Sequence, residues 1–424
     1  MRQSRTEVAV AVVPCRVTGC DTGARTAVGR GRGPGARARR GAPDVFVLGA
    51  VLVLGGGCAD AHSAVGFRHG VDRAASGAAA VASAAGNGEQ AVWRVVERVR
   101  IGRLEGEGPE VFGRIGAVQL DGEGRVYVMD NHARELRVFD DRGGHVATIG
   151  RRGAGPQEFE YVAGLAWAPD GALWLVDAGN GRYTRLGPDG KLETVRRPVA
   201  VYHLPWLGGW DEEGSFYDQA VTADADARSV LVKMAPPGVP VDTLILPTAK
   251  LAMPRFGSMS FPLPFAPRQL FAFDRSGRIW VALSSEYRLT ALDLKGDTLL
   301  VVQRPREPDR LTAAQRDSIR KYVAQLKGRF GVEVRSEMIP ERAPILKWMV
   351  ADDAGRLWVC ATGLSPCETL DVIGKDGRPL AVVRLPAAAE GRPAVRGTRI
   401  AYAVEGPQGE PIVLLGEIVT GAQQ

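Results

Sequence analysis

One pattern recurs six times along the chain: a turn with Asp or Gly, a basic or small residue, an apolar residue, an aromatic, then more apolar residues. It reads Asp121-Gly122-Glu123-Gly124-Arg125-Val126-Tyr127-Val128, then Asp170-Gly171-Ala172-Leu173-Trp174-Leu175-Val176, then Glu213-Gly214-Ser215-Phe216-Tyr217. It returns at Ser276-Gly277-Arg278-Ile279-Trp280-Val281 and Ala354-Gly355-Arg356-Leu357-Trp358-Val359, and more weakly at Gly397-Thr398-Arg399-Ile400-Ala401-Tyr402-Ala403-Val404. The aromatics stand at 127, 174, 217, 280, 358 and 402, in steps of 47, 43, 63, 78 and 44 residues. Three steps have the length of one propeller blade, and two carry insertions.

A second turn follows each of the first five aromatics, at Gly144, Gly190, Gly238, Gly296 and Gly377, so each unit holds at least two hairpins. The middle strands are apolar at successive positions, as in Leu173-Trp174-Leu175-Val176, which suits a sheet covered on both faces. The pattern predicts an all-β fold: a six-bladed β-propeller of four-stranded antiparallel blades. The sixth copy lacks an outer strand before the chain ends, while the strand-like run Ala91 to Val99 is unassigned at the other end. That N-terminal strand is expected to complete the last blade and close the ring, because an open ring would leave two blade faces bare.

These residues resemble NHL-type six-bladed β-propellers, and in particular bacterial six-bladed β-propeller lipoproteins. The likeness rests on Val128-Met129-Asp130, Leu136-Arg137-Val138-Phe139-Asp140, Leu175-Val176-Asp177, and the crossover Ile149-Gly150-Arg151-Arg152-Gly153-Ala154-Gly155-Pro156-Gln157-Glu158-Phe159. It spans roughly 92–424, well in the first two blades and poorly in the third and sixth. The resemblance implies an extracytoplasmic recognition scaffold and, in some relatives, a lyase or lactonase with metal in the central channel. No catalytic residue carries over by position.

The segment before the propeller reads as an address. Residues 1–44 hold nine Arg and three acids and carry the whole excess of the +6 formal charge. The remaining body is neutral, which argues against a nucleic-acid partner. The apolar run Val45 to Leu54 has the length of a signal h-region and is too short to span a bilayer. It closes on Gly55-Gly56-Gly57-Cys58, which resembles a lipoprotein signal with Cys58 as the lipidated residue, although Gly55 stands where Leu is usual. The expected organisation is a basic leader and signal over 1–58 and a flexible Ala/Gly/Ser-rich tether over 59–91. The propeller follows over 92–424, with insertions at about 248–267 and 304–343. The expected location is extracytoplasmic, periplasmic or cell-surface, with the membrane reached through a lipid anchor alone.

Candidate chemistry is sparse. The position three after each aromatic reads Asp130, Asp177, Ala220, Leu283, Ala361 and Glu405, too few carboxylates for a metal cage. Asp130 and Asp177 are expected to accept hydrogen bonds from loop N–H groups instead. Asp224-Ala225-Asp226 opens like a calcium loop, but Arg228 stands at the third ligand position and the loop Gly is missing. No His-Glu-x-x-His, Gly-x-Ser-x-Gly or phosphate loop occurs. His203, Trp206 and Trp210 lie together on a blade connection, where aromatic faces beside a titratable group suit a sugar or peptide; the competing reading has both Trp filling the gap between blades.

The first insertion carries Phe261 and Phe265 among several Pro, either packed over the propeller or offered as a sticky face. The second carries a helix signal: Thr312 and Gln315 have capping-box spacing, and Ile319, Tyr322, Val323 and Leu326 share one face. That helix acts as a lid over the channel or as a fixed brace. Cys360 and Cys367 flank a turn and form a disulfide or stay as buried thiols. The reading is a scaffold, more a binder than an enzyme, that takes a glycan, peptide or partner protein at His203, Trp206, Trp210, Phe261 and Phe265. No cofactor is expected. The alternative is a lactonase, other hydrolase or lyase using a divalent cation in the channel.

Overall fold

The computed structural model describes residues 80–83, 90–195, 209–211, 214–221, 229–235, 239–246, 253–256, 259–274 and 276–420. Blade 1 is Ile115–Leu120, Val126–Asp130, Glu135–Phe139 and His145–Ile149, hydrogen-bonded in that order, every pair antiparallel. Blade 2 repeats it with Val162–Trp167, Leu173–Asp177, Arg182–Leu186 and Leu192–Val195. Blade 3 has Phe216–Val221, Ser229–Ala235 and Val239–Ile245, with Trp210 bridged to Phe216 from the innermost position. Blade 4 has Gln269–Phe273, Ile279–Leu283, Arg288–Leu292 and Thr298–Gln303. The strand Ala80–Ser83, which composition assigns to the tether, pairs parallel with the last of these, because an outer strand of a blade leaves one row of backbone groups open.

Blades 5 and 6 share one eight-stranded sheet. Blade 5 is Trp348–Ala351, Leu357–Cys360, Cys367–Ile373 and Pro379–Ala389. Blade 6 takes Ala394–Arg396, Arg399–Glu405 and Pro411–Val419 from the end of the chain and Ala91–Ile101 from its beginning. The N-terminal strand lies antiparallel to Pro411–Val419 and runs parallel, over Ala91 to Arg94, with the rim strand of blade 5. It therefore closes the ring, as the unassigned N-terminal run predicts.

Closure is also visible in the core. Six apolar clusters of described residues occupy six successive blade interfaces. The cluster with Val128, Phe139, Ala401 and Val413 joins blade 6 to blade 1. Doubly covered middle strands follow from this sandwiching: Val126–Asp130 and Leu173–Asp177 are buried at every residue. One helix, Ala313–Phe330, stands outside the blades, capped by Thr312 and Gln315 as their spacing predicts. No helix among the described residues is long and apolar enough to cross a membrane.

Candidate functional site at the crossover end

Alternation of strand direction sorts the loops of each blade to two ends. The turns between first and second strands, and between third and fourth, emerge at one end. The turns between second and third strands emerge at the other, together with the crossovers that carry the chain from the rim of one blade to the centre of the next.

The described turns at the turn end are short hairpins with Gly, most of them also with Asp. Four blades place a buried Asp six residues before the aromatic: Asp121, Asp211, Asp274 and Asp352. Asp352 accepts the backbone N–H groups of Ala354 and Arg356 on one oxygen, and the Arg356 Nε and the Trp358 Nε1 at 2.8 Å on the other. Asp121 repeats this with Glu123, Arg125 and the Tyr127 hydroxyl. Asp211 accepts from Ser215 N–H and the Tyr217 hydroxyl and pairs with Lys233 at 2.7 Å. Burial pushes the Asp211 carboxyl up, but the Lys233 hydrogen bond and the Ser215 N–H outweigh it and hold its pKa below the usual range.

The crossover end uses a different device. Asp130 accepts N–H groups from Gly113, Arg114, His132 and Ala133, so its carboxylate ties the incoming crossover to the next turn. Arg137 lies 3.7 Å from Asp130 and donates to the carbonyls of Pro109 and Val111, with its guanidinium 5.6 Å from the centre of the Phe112 ring. Blade 2 repeats the clamp. Asp177 accepts from Glu160 and Tyr161, and Arg182 donates to the carbonyls of Ala154, Gly155 and Glu158. Gly150 enters this crossover at a φ of 84°, where a Cβ would run into the Phe159 ring. The same Gly-Pro-x-x-Phe spacing stands at Gly108 to Phe112, a second copy that reading the first copy alone overlooks. The two carboxylates are thus engaged by loop backbone. No group of three or more His, Cys, Asp or Glu able to hold a metal ion occurs among the described residues.

Both insertions are crossovers, entering blades 4 and 5, and they pack on one another. Ile319 is fully buried and Leu326 nearly so, while Tyr322 and Val323 share their side of the helix. Leu326 meets Leu263 and Val332, with Phe261, Phe330 and Met338 around them. Ile319 meets Leu311 and Ala343, with Phe265 and Leu364 beside them. Leu364 belongs to the turn of blade 5 that Cys360 and Cys367 flank; these cysteines are disulfide-bonded, with Cα atoms 6.1 Å apart. Phe261 and Phe265 therefore serve the packing of this cap. The Phe261 ring lies 5.1 Å from Phe330, and Phe330 lies 6.4 Å from Phe256, which is 50% exposed. Between blades 4 and 5, the Tyr287 hydroxyl donates to Asp371 at 2.8 Å and Arg304 lies over its ring; burial pushes the phenol well above its ordinary pKa.

Of the remaining candidates, Trp210 sits against blade 2, its ring 6.1 Å from Trp174, at the innermost position of blade 3. His203, Trp206 and Cys58 lie outside the described residues, as do Asp224 and Asp226.

Comparison with known proteins adds to this geometry. Residues 96–179, which span blade 1 and the first half of blade 2, match the model of a family described as 6-bladed beta-propeller. No curated protein sequence matches the chain. Among solved structures, a Bacteroides fragilis protein described as exported is similar at 10% identity and a TM-score of 0.48, covering 77% of this chain and 99% of its own. Virginiamycin B lyase of Staphylococcus aureus is similar at 11% identity and 0.38, covering 70% and 82%. A gluconolactonase of Xanthomonas campestris is similar at 16% and 0.39, covering 71% and 84%. The lyase and lactonase activities belong to those proteins. This chain is a β-propeller whose first blades match the family of six-bladed β-propellers.

Proposed function

We propose that the protein is an exported, lipid-anchored β-propeller that works as a binding scaffold, taking a glycan, peptide or partner protein at its crossover end. The observation that carries this reading is the asymmetry between the two ends. Among the described residues one end carries only short Gly-containing turns, whereas the other holds two insertions assembled into a cap with its own apolar core. Beside that core the exposed Phe256 leads onto the rings of Phe330 and Phe261, and the Arg329 guanidinium lies 5.4 Å from the centre of the Phe330 ring. Aromatic faces beside donors suit sugar rings and peptide side chains. The engagement of Asp130 and Asp177 by backbone N–H groups supports recognition over metal chemistry at these strand ends. Export and anchoring rest on the apolar run Val45 to Leu54 and on Cys58.

The test is binding of the full-length protein to glycan and peptide arrays, alongside a Phe256→Ala variant. A specific glycan or peptide should bind, and Phe256→Ala should weaken it at least tenfold without moving the melting temperature, since a half-exposed ring contributes little to the core. Absence of any binding above background, or binding indifferent to Phe256, would exclude the reading. Mass spectrometry of the mature protein from a bacterial host should find a diacylglyceryl group on Cys58.

A further inference from the structure

Three successive blades receive the chain through a cation. Arg268 immediately precedes Gln269–Phe273 in blade 4, and Lys347 immediately precedes Trp348–Ala351 in blade 5. Arg392 stands two residues before Ala394–Arg396 in blade 6. Each of these is the innermost strand of its blade and is entered from the crossover end, so the three positions ring one side of the same channel mouth. Arg268 Nη2 donates to the Lys347 carbonyl at 2.8 Å, which ties the first two positions together.

Among the described residues none of the three cations takes part in an ion pair within 4.0 Å. Among the described residues Glu390, acting on Lys347, is the carboxylate that acts favourably on this group. Arg392 Nε is a buried donor without a hydrogen-bond partner among the described residues. Burial pushes the Arg392 guanidinium down to about 10, and the positive charge of Arg268 adds to that. Lys347, half-buried, is lowered by burial and again feels the positive charge of Arg268, whose own side chain stays exposed at the mouth. Like charges gathered at a partly buried mouth cost folding free energy, and a chain keeps them together where something else compensates.

We infer that this side of the channel mouth is an oxyanion site, where Arg268, Lys347 and Arg392 hold a carboxylate, phosphate or sulfate group of a small ligand entering from the crossover end. The guanidinium fork matches the spacing of two oxygens on any of these groups, and a lysine adds a movable third donor. The site deepens the scaffold reading above, since it gives the ligand a charge, yet it stands on residues that reading does not use.

The experiment is calorimetric titration of the full-length protein with inorganic phosphate, sulfate and glucuronate, each at ionic strength matched with sodium chloride. At least one probe should bind saturably, one per chain, and Arg268→Gln and Arg392→Gln should each weaken it at least tenfold, while the turn-end control Lys191→Gln should not. Preference for glucuronate identifies a carboxylate ligand, and preference for phosphate or sulfate an ester. Without ligand, Arg392→Gln should melt above the parent, because it removes a repelled charge; an arginine serving the fold would melt lower when replaced. Should Arg392→Gln fail to fold, Arg392→Lys carries the test, with binding retained but weakened. Lack of saturable binding by all three probes, or binding unchanged in the variants, overturns the site. Array binding that persists in that case leaves the scaffold reading standing.

Discussion

Asp352 shows how much a single buried carboxylate organises in this repeat. It accepts two backbone N–H groups, the Arg356 guanidinium and the Trp358 indole, and so holds a turn, a strand and an interface ring in one arrangement. Asp352→Ala strands those donors and leaves Arg356 without its charge partner. The expected loss is about 3 kcal/mol in denaturant unfolding. Asp170→Ala, whose exposed carboxylate meets Ala172 N–H and Arg185, should cost under about 1 kcal/mol. A loss from Asp352→Ala no larger than that would refute the role. The turn and the aromatic are legible in sequence because they are neighbours. The bond from the Asp six residues earlier is not, because that Asp reaches the aromatic only after the hairpin folds back. Asp130 and Asp177 were legible as loop acceptors, whereas their partners Arg137 and Arg182 emerge only from the fold.

At the scale of elements, the helix Ala313–Phe330 was the most readable insertion, since its cap and apolar stripe are local patterns. What the stripe covers was not readable. Its partners Leu263 and Phe265 lie more than 45 residues away along the chain, within the other insertion. The two insertions are therefore one element energetically, and each alone would expose an apolar face. Leu326→Ala should destabilise the cap by about 3 kcal/mol, and Thr312→Ala by about 1 kcal/mol. Hydrogen exchange should show both losses in the helix and in residues 259–266 together, with the strands of blades 1 and 2 unchanged. Loosening of the helix alone would mean that the two insertions are independent. Trp210 illustrates the same limit: its neighbours suggest a binding loop, yet it terminates an innermost position and packs on Trp174 of the preceding blade.

For the molecule as a whole, stability depends on closing the ring. The N-terminal strand places Val95 in the interface between blades 5 and 6, and Ile101 in the interface between blades 6 and 1. One strand thus seals two interfaces, and in both it meets residues from the far end of the chain, joined in the second by residues of blade 1. Val95→Asp buries an unpaired carboxylate and should yield unfolded or aggregated protein, whereas Val92→Asp, at a position 53% exposed on the same strand, should fold normally. Size-exclusion chromatography and circular dichroism would separate these outcomes, and a well-folded Val95→Asp monomer would contradict the role of the strand. The repeat spacing, the turn residues and the doubly apolar strands belong to the sequence by itself, because turn geometry and strand burial act over a few residues. From them came the blade count, the helix and the need for a closing strand. Only the tertiary structure decided that the two insertions form one cap, that Asp and Arg clamp the crossovers, and that Arg268, Lys347 and Arg392 meet at one mouth. Those associations join residues tens to hundreds of positions apart, and no local pattern encodes a distance that exists only once the ring has closed.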